Sequence, residues 1–457
     1  MERLAIIGAL LGAALFGAQT AAPARASSPI QHIVVLYQEN HSFDNVLGYW
    51  CAQTGHCVGL PPSVTLKGGV VVVPTVTPNR VPQTAHTTPG QLIAMDGGAM
   101  DGWAGISGCA APTYACISGY TPAQVPNIIA LASSFAISDE TFSEKDSPSW
   151  GGHLYAVAAT TDGFVGNVPS CPVGDACAVE GWGCDSGKIT QWINPAGKVE
   201  KVPSCVPDPA LSMANGGAFK PTPASFVPTM MDRLDASSLS WRIYTTTSKP
   251  AKGVDSYMWA TCPSFAECLD TSQRTDMVPT DQVLADAAAG TLPAFSLVLP
   301  SADTDPISGG ASQHNGKSMA VGDQWIGTLT SALENGPEWD STALFITYDD
   351  CGCFYDQVPP GLNPDGTQQG TRVPLVIVSP YAKPGYVDST LASFASILAF
   401  TEQNFGLPPL NINDRDAYAF TNAFDYAQTP LAPVPMVHIV VSQAARLLGG
   451  DDSNDPT

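Results

Sequence analysis

The stretch 30-IQHIVVLYQENHSFDNVLGYW-50 decides how the rest of the chain is read. Its apolar run from His32 to Tyr37 (HIVVLY) is short, β-branched and without polar alternation, which predicts a strand buried on both faces, as in a parallel sheet. The run passes directly into Gln38, Glu39 and Asn40, polar side chains that are costly at the end of a buried strand unless they have a task there. In open α/β sheets the carboxyl ends of the strands line the ligand crevice, so Glu39 and Asn40 become candidate site residues.

Three more runs read as buried strands: Ala294 to Leu299 (AFSLVL), Ala343 to Tyr348 (ALFITY) and Pro374 to Val378 (PLVIV). Helical periodicity lies between and after them, from Val321 to Leu333 and from Leu391 to Asn404. This alternation predicts one α/β domain over 27–426, a mostly parallel sheet flanked by helices and assembled from distant segments. ALFITY ends on Asp349 and Asp350 much as HIVVLY ends on Glu39. One acidic residue after a strand serves equally well as a turn or a helix cap. Two such clusters together supply three carboxylates, hard oxygen donors suited to a divalent cation of unspecified identity.

The opening residues resemble an export signal, with Arg3 ahead of an apolar run from Leu4 to Phe16 and a small-residue cleavage point at Ala24-Arg25-Ala26, so residues 1–26 are expected to be removed and the protein secreted. The run is shorter than the roughly 20 apolar residues a membrane span needs, and no stable membrane anchor is expected. Removing Glu2, Arg3 and Arg25 leaves 40 acidic against 17 basic residues. That surface excludes nucleic acid and anionic membrane as partners, and an anionic substrate would need local positive charge from a metal or histidine. All 12 cysteines follow the cleavage point, which in an exported chain favours disulfides. Proximity suggests Cys51 with Cys57, Cys109 with Cys116, Cys171 with Cys177, Cys184 with Cys205, and Cys262 with Cys268. Cys351 and Cys353 form either a strained small ring, the favoured reading, or a reduced soft pair. Residues 171–270, rich in Gly, Pro, Ser and Cys, read as a disulfide-stapled insertion, either passive or a lid. Residues 427–457 read as a C-terminal extension with a frayed acidic end.

Beyond these local readings, blocks along the chain resemble the bacterial phosphoesterase family that includes the non-haemolytic type of phospholipase C and a respiratory-burst-inhibiting acid phosphatase. The stretch 30–50 is similar to the family's opening strand and its "Glu-Asn-x-Ser-Phe-Asp" signature. TALFITYDDCGCFYDQVPP, Thr342 to Pro360, resembles "Tyr-Asp-Glu-His-Gly-Gly-Phe-Tyr-Asp-His-Val-Pro-Pro", and RVPLVIVSPYAKPGYVDST and NFGLPPL follow in the family's order. The resemblance implies an alkaline-phosphatase-like fold and phosphoric-ester hydrolysis.

By the same resemblance Glu39, Asp349 and Asp350 hold the metal, and Asn40 contacts the phosphate. DETFSEKDSPSWGGHLY, Asp139 to Tyr155, places Ser149 on the nucleophile and His153 at the end of its motif. Read alone, Ser149 is a serine in a turn, and Ser147 beside it is expected to contribute little. His86, ahead of MDGGAMDGW, falls on a phosphate-binding position, and His314 on the family's "His-Asp-Gly". The implied reaction is attack by Ser149 on phosphorus, with His153 and His314 assisting and Asn40 and His86 holding oxygens. Cys351 stands where the family has histidine, Cys353 where it has glycine, and Ser393 and Phe394 where it has Asp-His, so a single metal is expected. The substrate expected is a phosphomonoester, as for an acid phosphatase, or a phospholipid head group, as for a phospholipase C. The alternatives are a secreted binding protein that kept the fold and lost activity, or a sulfatase-like hydrolase, whose Cys/Ser-x-Pro-x-Arg is absent around Ser149.

Overall fold

A strand forms at β1 (His32–Gln38) because HIVVLYQ can bury both faces, and it does so from its second residue onward. It lies at the centre of an eight-stranded sheet in a computed structural model that describes residues 28–446 apart from 147–148, 167, 175–176, 178–180, 212–218, 220, 246–260 and 301–309. The expected export signal, Ser147 and the acidic end of the tail lie outside the described residues. The other strands of the sheet are β2 (Ala136–Ser138), β3 (Trp241–Tyr244), β4 (Met277–Val278), β5 (Phe295–Val298), β6 (Thr342–Tyr348), β7 (Leu375–Val378) and β8 (Val387–Asp388). Their order across the sheet is β4-β3-β5-β1-β6-β7-β2-β8.

Every strand but one runs parallel to β1. The exception corrects the sequence reading of PLVIV as parallel: β7 pairs antiparallel with both β6 and β2. A strand buried on both faces reads as an unbroken apolar run whichever way it points, so its direction is not encoded in the pattern. Within 171–270, Trp241–Tyr244 is β3 of the central sheet, while the Ile189–Ile193 and Val199–Pro203 hairpin stands outside it.

Among the helices are α1 (Thr88–Met95), α2 (Pro126–Ser134), α3 (Ser149–Ala158), α4 (Met319–Glu334) and α5 (Phe394–Phe405). Asp323 of α4 caps α2 by accepting the N–H groups of Asn127 and Ile128, each at 3.0 Å. Phe345 of β6 packs its ring 5.1 Å from Phe400 of α5. The fully buried Arg372 lies between Asp44 and Asp356, 3.0 Å from each, and 4.2 Å above the Phe43 ring. That ion triad ties the turn after β1 to the loop after β6.

The five short-range cysteine pairs are bridged as expected. Cys351 and Cys353 are not: both are buried thiols with sulfurs 2.8 Å apart. Cys353 N–H donates to Cys351 Sγ at 2.8 Å across the tight turn at Gly352, an arrangement that satisfies the turn without closing a strained ring. Among the described residues no helix is long and apolar enough to cross a membrane.

Candidate active site

The register of the two central strands builds the site. Gln38 stands opposite Tyr348, so the next residues along, Glu39 and Asp349, emerge side by side at the carboxyl edge of the sheet. Asp349 N–H donates to the Gln38 carbonyl at 3.0 Å, carrying the pairing one step beyond the strands. Asn40 then takes a left-handed conformation (φ 61°), which asparagine tolerates better than most residues, and the chain leaves the sheet. Its N–H donates to Asp349 Oδ1 at 2.8 Å. Asp350 N–H donates to the same oxygen at 2.7 Å, and Gly352 N–H to Asp350 Oδ1 at 2.6 Å.

Ser149 opens α3, and His153 lies one turn further along the same face. Ser149 Oγ donates to Asp350 Oδ2 at 3.3 Å. His153 Nε2 is 3.2 Å from Glu39 Oε1, and its ring meets Tyr37 edge-on at 5.0 Å. Tyr37 in turn donates to the Gly152 carbonyl at 3.1 Å, fixing α3 against β1.

His86 and His314 approach from the other side. His86 Nδ1 donates to the Thr84 carbonyl at 2.9 Å and His314 Nδ1 to that of Asn315 at 3.1 Å, so both rings present Nε2 towards Asn40. The Asn40 amide is oriented by what surrounds it. Its oxygen faces His314 Nε2 at 2.8 Å and His86 Nε2 at 3.1 Å, and its nitrogen donates to Asp349 Oδ1 and Asp350 Oδ1, each at 3.1 Å. The structure therefore brings all eight expected residues into one centre, and each is at most 3% exposed.

Glu39, His153 and Asp349 each offer a ligand atom within 4.8 Å of the others. Glu39 Oε2 is buried with no hydrogen-bond partner. Burial, then Asp350 and Glu39, push the Asp349 carboxyl well above its usual range, and burial raises Asp350 against the pull of His86. Carboxylates crowded in this way repel unless protonated or shared by a cation, and a hard divalent ion fits that donor set. His153 belongs to the cluster although the sequence reading placed it among the catalytic groups.

Supporting residues were missed. His41 links Asn45 Oδ1 (2.8 Å) to the Gln313 carbonyl (3.1 Å) and so joins the Asn40 turn to the His314 turn. Thr84 Oγ1 donates to the Gly352 carbonyl and accepts from Asn315 Nδ2 at 2.9 Å. His41 was visible as the third residue of Glu-Asn-His; nothing local marks Thr84.

The profile of the Phosphoesterase family matches residues 30–408. Among curated proteins, the chain is 25% identical to the non-hemolytic phospholipase C of Pseudomonas aeruginosa over 89% of its own length, and spans 58% of that protein's. It is 24% identical to phospholipase C A of Mycobacterium tuberculosis, covering 89% of this chain and 79% of the relative. It is likewise 24% identical to non-specific phospholipase C6 of Arabidopsis thaliana, covering 90% and 75%. A solved member of the alkaline phosphatase superfamily from Vibrio parahaemolyticus matches with a TM-score of 0.36 and 12% identity over 85% of this chain and 71% of that one, too distant to bear on the site.

Proposed function

Because the chain belongs to the Phosphoesterase family, we propose that it hydrolyses phosphate esters with Ser149 as nucleophile, beside a divalent cation held by Glu39, Asp349 and Asp350. The observation that carries this reading is the meeting of the Ser149 hydroxyl with Asp350, at 3.3 Å, where two further buried carboxylates converge. A bound cation there supplies charge neutralisation and lowers the pKa of a nearby hydroxyl. Asp350 accepts from the Ser149 hydroxyl, orients its oxygen for in-line attack on phosphorus and takes its proton as the new bond forms. His86 and His314, once protonated at Nε2, lie where they can donate to phosphoryl oxygens as charge develops, while the Asn40 amide, whose hydrogens go to Asp349 and Asp350, holds the acidic pair beside them. His153, held by Glu39 one helical turn from Ser149, is placed to donate a proton to the leaving alcohol, and water then releases phosphate from the serine.

Phosphomonoesters are the first substrate class under this reading. Phospholipid diesters are the second, favoured by the names of the three relatives. The inactive-binding-protein alternative has less support, since an intact cluster of buried acids would be an expensive relic. The disulfide framework supports secretion.

The test is to assay the protein against p-nitrophenyl phosphate and p-nitrophenyl phosphorylcholine with and without a chelator. Turnover of at least one ester is expected, lost on chelation and restored by a divalent cation. Full activity in a metal-free preparation would rule out the cation, and no turnover of either ester under any metal would rule out the function.

A further inference from the structure

A pocket of mixed apolar and polar lining opens on the same edge of the sheet. It has a volume of about 380 Å³ and lies past the carboxyl end of β8, between the loop at Leu362 to Gln369 and the start of α5. Ser393, in its wall, caps α5 next to Phe394. The Phe394 ring is 5.2 Å from Tyr37, whose ring is 5.0 Å from His153, so the pocket sits two aromatic side chains from the reaction centre.

Its lining sets neutral polar groups among apolar side chains. Gln369 is 2% exposed, and its Nε2 donates to the Ala392 carbonyl at 3.4 Å, which leaves Oε1 as a buried acceptor without a partner. Ser396 Oγ accepts the Ser393 N–H at 3.1 Å and keeps its own hydrogen to donate. The one charged residue in the wall, Asp416, is held bidentately by Arg415 at 2.8 and 2.7 Å. Among the described residues that line it there is no lysine, arginine or histidine, so no cationic side chain there favours an anion. Leu362 and Leu391 flank it and are 59% and 42% exposed. An unpartnered acceptor and a hydroxyl donor in the wall of one pocket, with apolar side chains beside them, suit the hydroxyls of a neutral polyol. A buried amide oxygen left without such a donor is unfavourable.

We propose that this pocket binds a neutral polyhydroxylated group, one hydroxyl donating to Gln369 Oε1 and another accepting from Ser396. The group is either the alcohol side of the ester cleaved at Ser149, which rests on the function proposed above, or a free polyol.

Sorbitol binding to the full chain, followed by ligand-observed NMR, tests the pocket without any need for turnover. Wild type is expected to bind, Gln369→Leu to bind about tenfold more weakly, and Leu391→Trp, which fills the mouth, to lose binding. Melting curves confirm that each variant is folded. In parallel, kcat/KM is measured for sorbitol 6-phosphate, whose polyol chain is long enough to extend away from the reaction centre, and for p-nitrophenyl phosphate. A fall of about tenfold in the ratio of the two on Gln369→Leu assigns the pocket to the substrate's alcohol, and an unchanged ratio with weakened sorbitol binding assigns it to a free polyol. No sorbitol binding by wild type, or equal binding by the folded variants, overturns the proposal. Sorbitol binding by a chain that hydrolyses neither ester leaves the pocket standing and removes the proposed function.

Discussion

Ser149 donates to Asp350 from the first turn of α3, while His153, one turn on, reaches Glu39. One helix face thus carries both the hydroxyl and the imidazole that the proposed chemistry needs. Ser149→Ala is expected to keep the fold and lose at least about a thousandfold in turnover, roughly 4 kcal/mol of transition-state stabilisation. Acid quench and peptide mapping of the wild type should locate phosphate on Ser149. Retained turnover in the variant would mean that water attacks directly. The residues of this centre were unequally legible. Glu39, Asp349 and Asp350 announced themselves as charges at the ends of buried strands, where desolvation makes an idle carboxylate costly. Ser149 carried no such mark and was reachable only through resemblance. His41 and Thr84 act through partners 272 and 268 positions away, a pairing that no local pattern encodes.

At the scale of the element, the turn after β6 does more than its length suggests. Gly352 has φ 51°, and a Cβ there would stand 2.1 Å from the Asn40 carbonyl oxygen. Gly352→Ala is expected to lower stability by about 1 to 3 kcal/mol, to displace Asn40 and to cut turnover with it. Denaturant titration and steady-state kinetics check both, and wild-type values for the two would refute the close approach. Asp323, the cap linking α4 to α2, offers a pH test outside the eight-residue centre. Burial lifts its carboxyl from 3.8 to about 7 against the backbone hydrogen bonds it accepts. Between those values the folded state holds a proton that the unfolded chain has released, so this stability is complete below 3.8 and is lost as the pH rises through about 7. The melting temperature of Asp323→Asn should accordingly fall less than that of wild type between about pH 4 and 7. Parallel slopes would remove Asp323 as a source. The long apolar strands were legible because burial on both faces leaves an unbroken run. β3, β4 and β8 were not, being two to four residues of mixed character whose pairing depends on neighbours far along the chain.

Across the whole molecule, five disulfides staple loops of six to 21 residues' separation around a sheet that needs none of them for its own hydrogen bonds. Reductant is expected to lower the melting temperature, since losing a native bridge typically costs about 2 to 5 kcal/mol. Scanning calorimetry with and without dithiothreitol measures this. Mass spectrometry of the alkylated, unreduced protein should find two modified cysteines, Cys351 and Cys353, and twelve would contradict the framework.

The adjacency of β1 and β6 also sets an order of events. The carboxylates they carry are separated by about 310 positions and become neighbours only when a strand from the start of the chain meets one from its final quarter. A ribosome has therefore released more than about 300 residues before the acidic cluster can exist, and contacts of such long sequence separation close late and slowly. The nascent chain offers a passing ion only scattered single ligands. Under the function proposed above, the cation is then drawn from the compartment where folding ends, so the medium there, and not the ribosome's surroundings, selects it.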